Sequence, residues 1–482
     1  MPRKDDQLPT SPLSRLNRRQ FTQMLLAAGL LGAGRRQAQA AVADGFSAET
    51  QKAIAGAKLI KYFTRWGNGG HSGENWPNAM PLQWLSKSQA LAGPGDALLL
   101  AVDPAKPAIF ELGRKKPQIF LRNAGTADAP IIVMAGVVND AGALTMPLGD
   151  QADSQFRSVA PWSVAEFNRG KGAPFFVGIE NGAAHVLLAG FRMEGTSGDG
   201  FFKFRSGKTK SADFDGFTFA DVAGTNVGRV IETDEGSHLS NITVRDCRAL
   251  GIIRGFARFH DLSQATFRNL DLDANNLDAG AKNVCQLIAI TKGSDILFEN
   301  VQMRNAINTK TLSDGSAGYT QGDGIVTEKG TSRVTIRNCH GSNMGDAAFD
   351  LKTRDVTIEK SGSDHCKFGA RVWMMGNNVI RDCDFREPVS RGNSAGCCVQ
   401  VTGQCDVVDT KLQAGEGTFA FGLNKLKSME PPIIRMHGGS IELRQGATLA
   451  HSNASGVIEL HDVAVNGEMR NETIQVDSST AP

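Results

Sequence analysis

Charge of one sign is the first thing this sequence lacks: 52 Lys and Arg face 50 Asp and Glu across 482 residues, a formal net charge of +2. Residues 1–40 hold seven basic and two acidic side chains, +5, which leaves 45 basic and 48 acidic groups, −3, for the rest. A near-neutral body has no electrostatic footprint for a phosphate backbone, so nucleic acid is excluded as a partner. Long apolar runs are missing too. The run Met24–Gly34 is too short to cross a bilayer, and no transmembrane anchor is expected in the mature chain. Glycine is abundant, at 54 residues, but has no collagen-like period, which implies many tight turns and few long helices. With 41% hydrophobic and 21% charged residues, the composition is that of a folded chain.

The amino terminus reads as an address. Paired arginines, Arg18 and Arg19, precede Phe21, the apolar run follows, and Ala38-Gln39-Ala40 supplies a small-x-small site. This resembles a twin-arginine export signal, with cleavage expected after Ala40 and Thr22 where a larger apolar residue is usual. It implies a periplasmic or secreted protein.

Short apolar, β-branched segments then recur in a common register, from HVLLAGF (185–191) through NITVRDC (241–247) and RVTIRNC (333–339) to NNVIRDC (377–383). The second apolar position of each gives Leu188, Phe219, Val244, Phe267, Phe298, Ile336, Ile358 and Ile380, at intervals of 31, 25, 23, 31, 38, 22 and 22. A floor near 22 with longer steps is what coils of constant girth with loop insertions produce. The step of 38 contains the polar insertion TKTLSDGSAGYTQGDG. Each unit has two or three short alternating runs separated by Gly, Asn or Asp, and none has room for a helix. One such coil cannot bury its apolar face, whereas stacked coils bury a continuous core and pair every backbone edge. The leucine framework of leucine-rich repeats is missing, so the fold expected is all-β: a single-stranded right-handed parallel β-helix. Cys247, Cys339 and Cys383 occupy the position of Leu270 and Val301 in other coils, and read as reduced thiols in an inward stack.

Residues 47–60, with a serine start and helical spacing, suit a short helix capping the first open coil. The segment that follows has Trp76, Asn78-Ala79 and a Pro94-Gly95-Asp96 turn, and later APIIVMAG (129–136). It resembles the opening of right-handed parallel β-helix proteins of the pectate-lyase-like superfamily. That resemblance covers most of residues 70–400 and implies a polysaccharide-handling scaffold, shared by lyases, hydrolases, epimerases and inactive binders. The expected organisation is a signal peptide at 1–40, a cap segment at 41–72, the β-helix at 73–470 and a polar tail at 471–482, in a monomer.

The most polar part of the repeat is GDGIVTEKG (322–330), GDAAFDLKT (345–353) and CKFGARVWM (366–374). Alternation points Phe349 and Leu351 inward and Asp350 and Lys352 outward. Asp323 and Asp346 are 23 residues apart, Glu328 and Asp350 are 22, and Asp350 and Arg371 are 21, which predicts ladders on one outer wall. Carboxylates about 5 Å apart repel, so each pair implies a bound cation, a raised pKa or a basic partner. Asp323, Asp346, Asp350 and Glu328 are the expected metal ligands, with Ca²⁺ the cofactor. Lys352, Arg371 and Arg386 are the expected catalytic groups, and Lys329, Lys367 and Trp373 are expected to hold the substrate.

That set suits β-elimination on an acidic polysaccharide, in which a cation or arginine neutralises a uronate carboxylate and a lysine or arginine removes the acidified proton beside it. It is similar to calcium-dependent pectate lyases of this fold. Asp323 matches their earlier Asp, and Asp346 and Asp350 match two of the cluster. Ala347 stands where a further Asp is expected, and Arg386 is the basic residue nearest the distal base position. Epimerisation begins with the same proton removal, and His340 and His365 are further acid/base groups. Hydrolysis by paired carboxylates, non-catalytic carbohydrate binding and an envelope role stay open.

Overall fold

A computed structural model describes residues 45–477 apart from 87–90, 103–109, 113–118, 140–141, 146–155, 159–162, 169–175, 208–210, 281, 425–429, 453–455 and 468–474. The leader expected at 1–40 lies outside the described residues. The chain winds as a right-handed parallel β-helix whose coils present three walls in sequence order. In one coil, wall I is Ala347–Leu351, wall II is Arg354–Glu359 and wall III is Gly362–Asp364, before the chain re-enters wall I at Phe368–Val372.

The repeat marker becomes one continuous row on wall II. Leu98, Val133, Leu188, Phe219, Val244, Phe267, Phe298, Ile336, Ile358, Ile380, Val407, Met436 and Leu460 are successive parallel partners. All thirteen are buried, none more than 6% exposed. Fully burying a side chain of this kind stabilises by roughly 1.5–3 kcal/mol, so the row adds cohesion along the axis coil by coil. Cys247 pairs with Leu270, and Leu270 with Val301, as the sequence implies. All eight cysteines are buried and unbonded. Burial pushes the Cys247, Cys339 and Cys383 thiols up to about 12, which leaves them inert.

The corners follow from the residue, Asn or Asp in most coils and Lys360 in one, that ends the wall II strand. Asp246, Asn269, Asn300, Asn338, Lys360, Asp382 and Asp409 all have φ between 46° and 55°. Asn and Asp tolerate this left-handed region better than other non-glycine residues, so a one-residue corner recurs at fixed height. Their side chains stack as well: Asn300 Nδ2 donates to Asn269 Oδ1 at 3.1 Å, and Asn269 Nδ2 to Asp246 Oδ1 at 2.8 Å.

Three expectations are corrected at the ends. The helix Ala48–Ala55 forms, but it lies against the outer face of wall II instead of across the open coil. Phe46 and Ile54 pack on Ala97, Leu99, Ile132, Met134, Leu187, Ala189 and Ala220, an outward stripe too apolar to face water. Ser47 is the N-cap residue but its side chain makes no capping bond to the helix; its hydroxyl and that of Thr50 donate to Asp221 at 3.0 and 2.7 Å. Pairing also begins inside the expected cap segment, where Leu59–Thr64 runs parallel to Asp96–Val102. Within the expected tail, Gln475–Asp477 forms a strand on Val457–His461. Among the described residues, no helix is long and apolar enough to cross a membrane.

Candidate functional site

Wall I carries the polar cluster. Its inward row is Ile325, Phe349, Ala370 and Val399, and the outward row beside it is Val326, Asp350, Arg371 and Gln400. The predicted Asp350–Arg371 rung is therefore a true register pair. The predicted Glu328–Asp350 rung is not, because Asp350 pairs with Val326. Between these coils wall I advances by 24 residues (Ile325 to Phe349) but wall II by only 22 (Ile336 to Ile358). Two extra residues thus sit in the corner after Thr327, and Glu328 moves along to face Lys352, whose Nζ donates to Glu328 Oε1 at 2.9 Å.

The three aspartates are also far less exposed than an open outer wall implies: Asp323, Asp346 and Asp350 are 5%, 6% and 5% exposed. What covers Asp346 is the insertion in the 38-residue step from Phe298 to Ile336. Cross-bridges Asn308–Gln321 and Thr311–Ala317 fold that loop on itself, and Asn308 Oδ1 accepts from the Cys285 amide at 2.7 Å. Its Tyr319 hydroxyl donates to Asp346 Oδ1 at 2.6 Å. Nothing in the repeat pattern singles out Tyr319; its only signal is being a tyrosine in a chain with two.

The cations interleave with the carboxylates. Arg371 Nη1 donates to Asp346 Oδ2 at 3.0 Å and lies 3.9 Å from Asp350 Oδ1, while its Nε donates to Gln400 Oε1 at 2.7 Å. Gln400, a second residue the sequence pattern does not mark, thus fixes the guanidinium plane. Lys352 Nζ lies 3.3 Å from Asp350 Oδ2, and Trp373 Nε1 donates to Asp350 Oδ1 at 2.6 Å, with Arg371 4.5 Å from the indole centroid. Lys367 Nζ is wholly buried. It lies 3.8 Å from Asp346 Oδ1, donates to the Thr320 carbonyl at 3.4 Å, and sits 3.2 Å from the centre of the Tyr319 ring.

Burial splits the protonation states. It pushes the Asp323 carboxyl well above the ordinary range, helped by Asp346 and Asp350. It raises Asp346 too, against the pull of Arg371, the Tyr319 hydroxyl and Lys367. Burial and the Asp346 charge raise the Tyr319 phenol. Desolvation brings Lys367 down to about 8, while for Lys352 desolvation is outweighed by Asp350 and Glu328, so its pKa rises.

Of the expected metal ligands, Asp323, Asp346 and Asp350 are brought together and Glu328 is drawn off to Lys352. The residues do not fit a calcium cage. Both Asp346 oxygens and both Asp350 oxygens meet Tyr319, Arg371, Lys352 or Trp373, and Asp323 Oδ1 accepts from the Ala347 amide at 3.0 Å. Among the described residues no three His, Cys, Asp or Glu side chains converge as a metal site. Lys329 is exposed and outside the cluster. Arg386 is on wall III, paired with Asp384 at 2.6 Å, in a separate cleft of about 730 Å³ with His340, Asp364 and His365. Asp364 there accepts from His340 at 2.6 Å and His365 at 3.0 Å, so neither histidine belongs to the wall I cluster.

No family profile matches the chain, and no curated protein is similar to it in sequence. Among solved structures it is similar to pectate lyase Pel9A (14% identity over 81% of this chain and 78% of that one, TM-score 0.35). It is also similar to the catalytic domain of a GH87 alpha-1,3-glucanase (9% identity, 83% and 66%, TM-score 0.46) and to an alginate lyase from Paenibacillus sp. strain FPU-7 (12%, 83% and 99%, TM-score 0.32). Likeness at this level carries no chemistry across, and the fold rests on the strand pairing itself.

Proposed function

We propose that wall I is the active site of an exported enzyme that cleaves an acidic polysaccharide by β-elimination, with protein cations in the place of a metal. The observation that carries the reading is Lys367: an amine brought to about 8 beside the fixed guanidinium of Arg371. A general base works best with a pKa near the operating pH, and burial is how a lysine reaches it. Arg371, with Lys352, neutralises the uronate carboxylate. Neutral Lys367 Nζ takes the proton from the carbon next to that carboxylate. The released electron pair forms the ring double bond as the glycosidic C–O bond breaks, and the Tyr319 hydroxyl gives its proton to the leaving oxygen. Tyr319 rides on the insertion, which must lift from Lys367 to admit a sugar ring.

A second reading is favoured by Asp323. A carboxyl whose pKa is pushed up by burial, close to a second carboxyl paired with Lys352, resembles the two-carboxyl arrangement of a glycoside hydrolase. One assay separates the two. Digests of pectate, alginate and glycosaminoglycans are read for unsaturated uronate ends, which support elimination, and for new reducing ends without unsaturation, which support hydrolysis. Neither product from any polymer sinks both. Export follows from the arginine pair: replacing Arg18 and Arg19 by Lys holds the protein in the cytoplasm, and normal export of that variant refutes the twin-arginine route.

A further inference from the structure

Three coils before the reactive cluster, wall I carries positive charge with too little to balance it. Arg229 is buried at 4% exposure and pairs with Glu232. Arg254 and Arg258 crowd the same spot, close enough to Arg229 to depress its pKa further once burial has lowered it. Glu232 is the carboxylate that offsets this at Arg229. The Nε atoms of Arg229 and Arg254 are buried with no acceptor. The Arg254 guanidinium packs against Gly198, where any Cβ would come within 2.9 Å of Nη1. Arg229 Nη1 meets Glu232 and its Nη2 donates to the Arg254 carbonyl at 3.3 Å, but a buried Nε without an acceptor costs stability, and like charges held together cost more.

The row ties this cluster to the active wall. Glu232 pairs with Arg258, Arg258 with Ala289, Ala289 with Val326, and Val326 with Asp350. Three strand spacings separate Arg258 from Asp350, about 14 Å along the axis. We propose that Arg229, Arg254 and Arg258 form an anion subsite that takes the carboxylate of a uronate residue several sugars away from the bond that breaks. This rests on reading wall I as the polysaccharide site. The planar guanidinium fork matches a carboxylate in two parallel hydrogen bonds, which a lysine cannot do. Such a contact acts at a distance from the chemistry, so it sets which polymers are held and in what register, and leaves the bond-breaking groups untouched.

The test is calorimetric titration of the Lys367→Met protein, which binds without turning over, with oligouronates of increasing length, their neutral counterparts and sulfated oligosaccharides. Arg254→Gln and Arg258→Gln are compared in that background, with melting curves to show that each is folded; both residues are half-buried, and either variant carries the test if the other does not fold. Expected is a loss of about tenfold or more in uronate affinity. The loss is confined to oligomers long enough to reach from Arg258 to Asp350, with neutral oligomers unchanged. Equal loss for short and long oligomers, or no loss in a folded variant, overturns the subsite. Tighter binding of sulfated than carboxylated chains overturns the uronate assignment. If wild-type protein cleaves nothing yet the length-dependent loss is seen, the subsite stands and the lyase reading falls.

Discussion

Lys367→Met tests the active-site reading through two independent signals. The amine is wholly buried, and its pKa falls from 10.5 in water to about 8 in the fold. At about 1.4 kcal/mol per pH unit, the charged form costs the native state roughly 3 kcal/mol. The sign follows from proton counting. Between pH 8 and 10.5 the unfolded lysine is protonated and the folded one is not, so the unfolded state binds more protons and stability rises with pH across that window. Below about pH 8 the penalty is fully present. Methionine removes it while filling similar volume. Asp346 keeps Arg371 at 3.0 Å and Tyr319 at 2.6 Å, so no carboxylate is orphaned. The Thr320 carbonyl loses its donor, at about 1 kcal/mol. The variant should therefore be about 2 kcal/mol more stable at pH 7, measured by urea denaturation, and its advantage should vanish as pH approaches 10.5. Turnover should fall by at least about 100-fold, the usual contribution of a general base. A variant that is less stable at pH 7, or a wild-type minus variant difference that is flat from pH 8 to 10.5, refutes the buried, poised amine; full activity refutes its role.

Four further outcomes are expected. Ile358→Asp puts an unpaired charge in the wall II stack and should cost several kcal/mol, seen as loss of protease-resistant protein; an unchanged melting curve would put that face in solvent. Millimolar calcium should leave the melting temperature where it is, because a ligand stabilises only by binding the native state; a rise that Asp350→Asn abolishes would restore the cation site. Asp221→Ala removes the acceptor of three bonds from Ser47 and Thr50, so the helix should become cleavable near residue 57 at a cost of about 1–3 kcal/mol, while the coils stay resistant; protection equal to wild type would refute the clasp. All eight thiols should resist alkylation in the folded protein and react once it is unfolded; rapid labelling of folded protein would contradict their burial.

The marker row was legible because burial and register in a solenoid are one constraint: a residue that points inward in one coil points inward in the next. That is why Leu188 to Ile380 could be aligned from apolar spacing alone, and why Asp350 and Arg371 were found as partners. The same logic failed at Glu328. Equal spacing holds only where all walls advance together, whereas two extra residues in the corner after Thr327 make the wall I step 24 residues against 22 on wall II. Tyr319 and Gln400 escaped for different reasons. Loops such as the insertion carry no period, so only the folded loop brings Tyr319 over Asp346, and Gln400 looks like any solvated outward residue until Arg371 is seen to lean on it. The expected calcium site followed from counting carboxylates without the donors that the neighbouring coils bring to them.

The helix Ala48–Ala55 has a consequence for the order in which the chain can fold. Its contacts reach forward from Thr50 to Asp221 and from Glu49 to Arg268, sequence separations of 171 and 219 residues. Loop closure over such spans must precede any reward from the contacts themselves. The helix has its apolar seat once the first four of the thirteen coils exist, but its polar contacts are complete only when the sixth, which carries Arg268, has formed. Docking of this segment therefore reports that the first six coils have formed, and leaves the later coils free to add on without it.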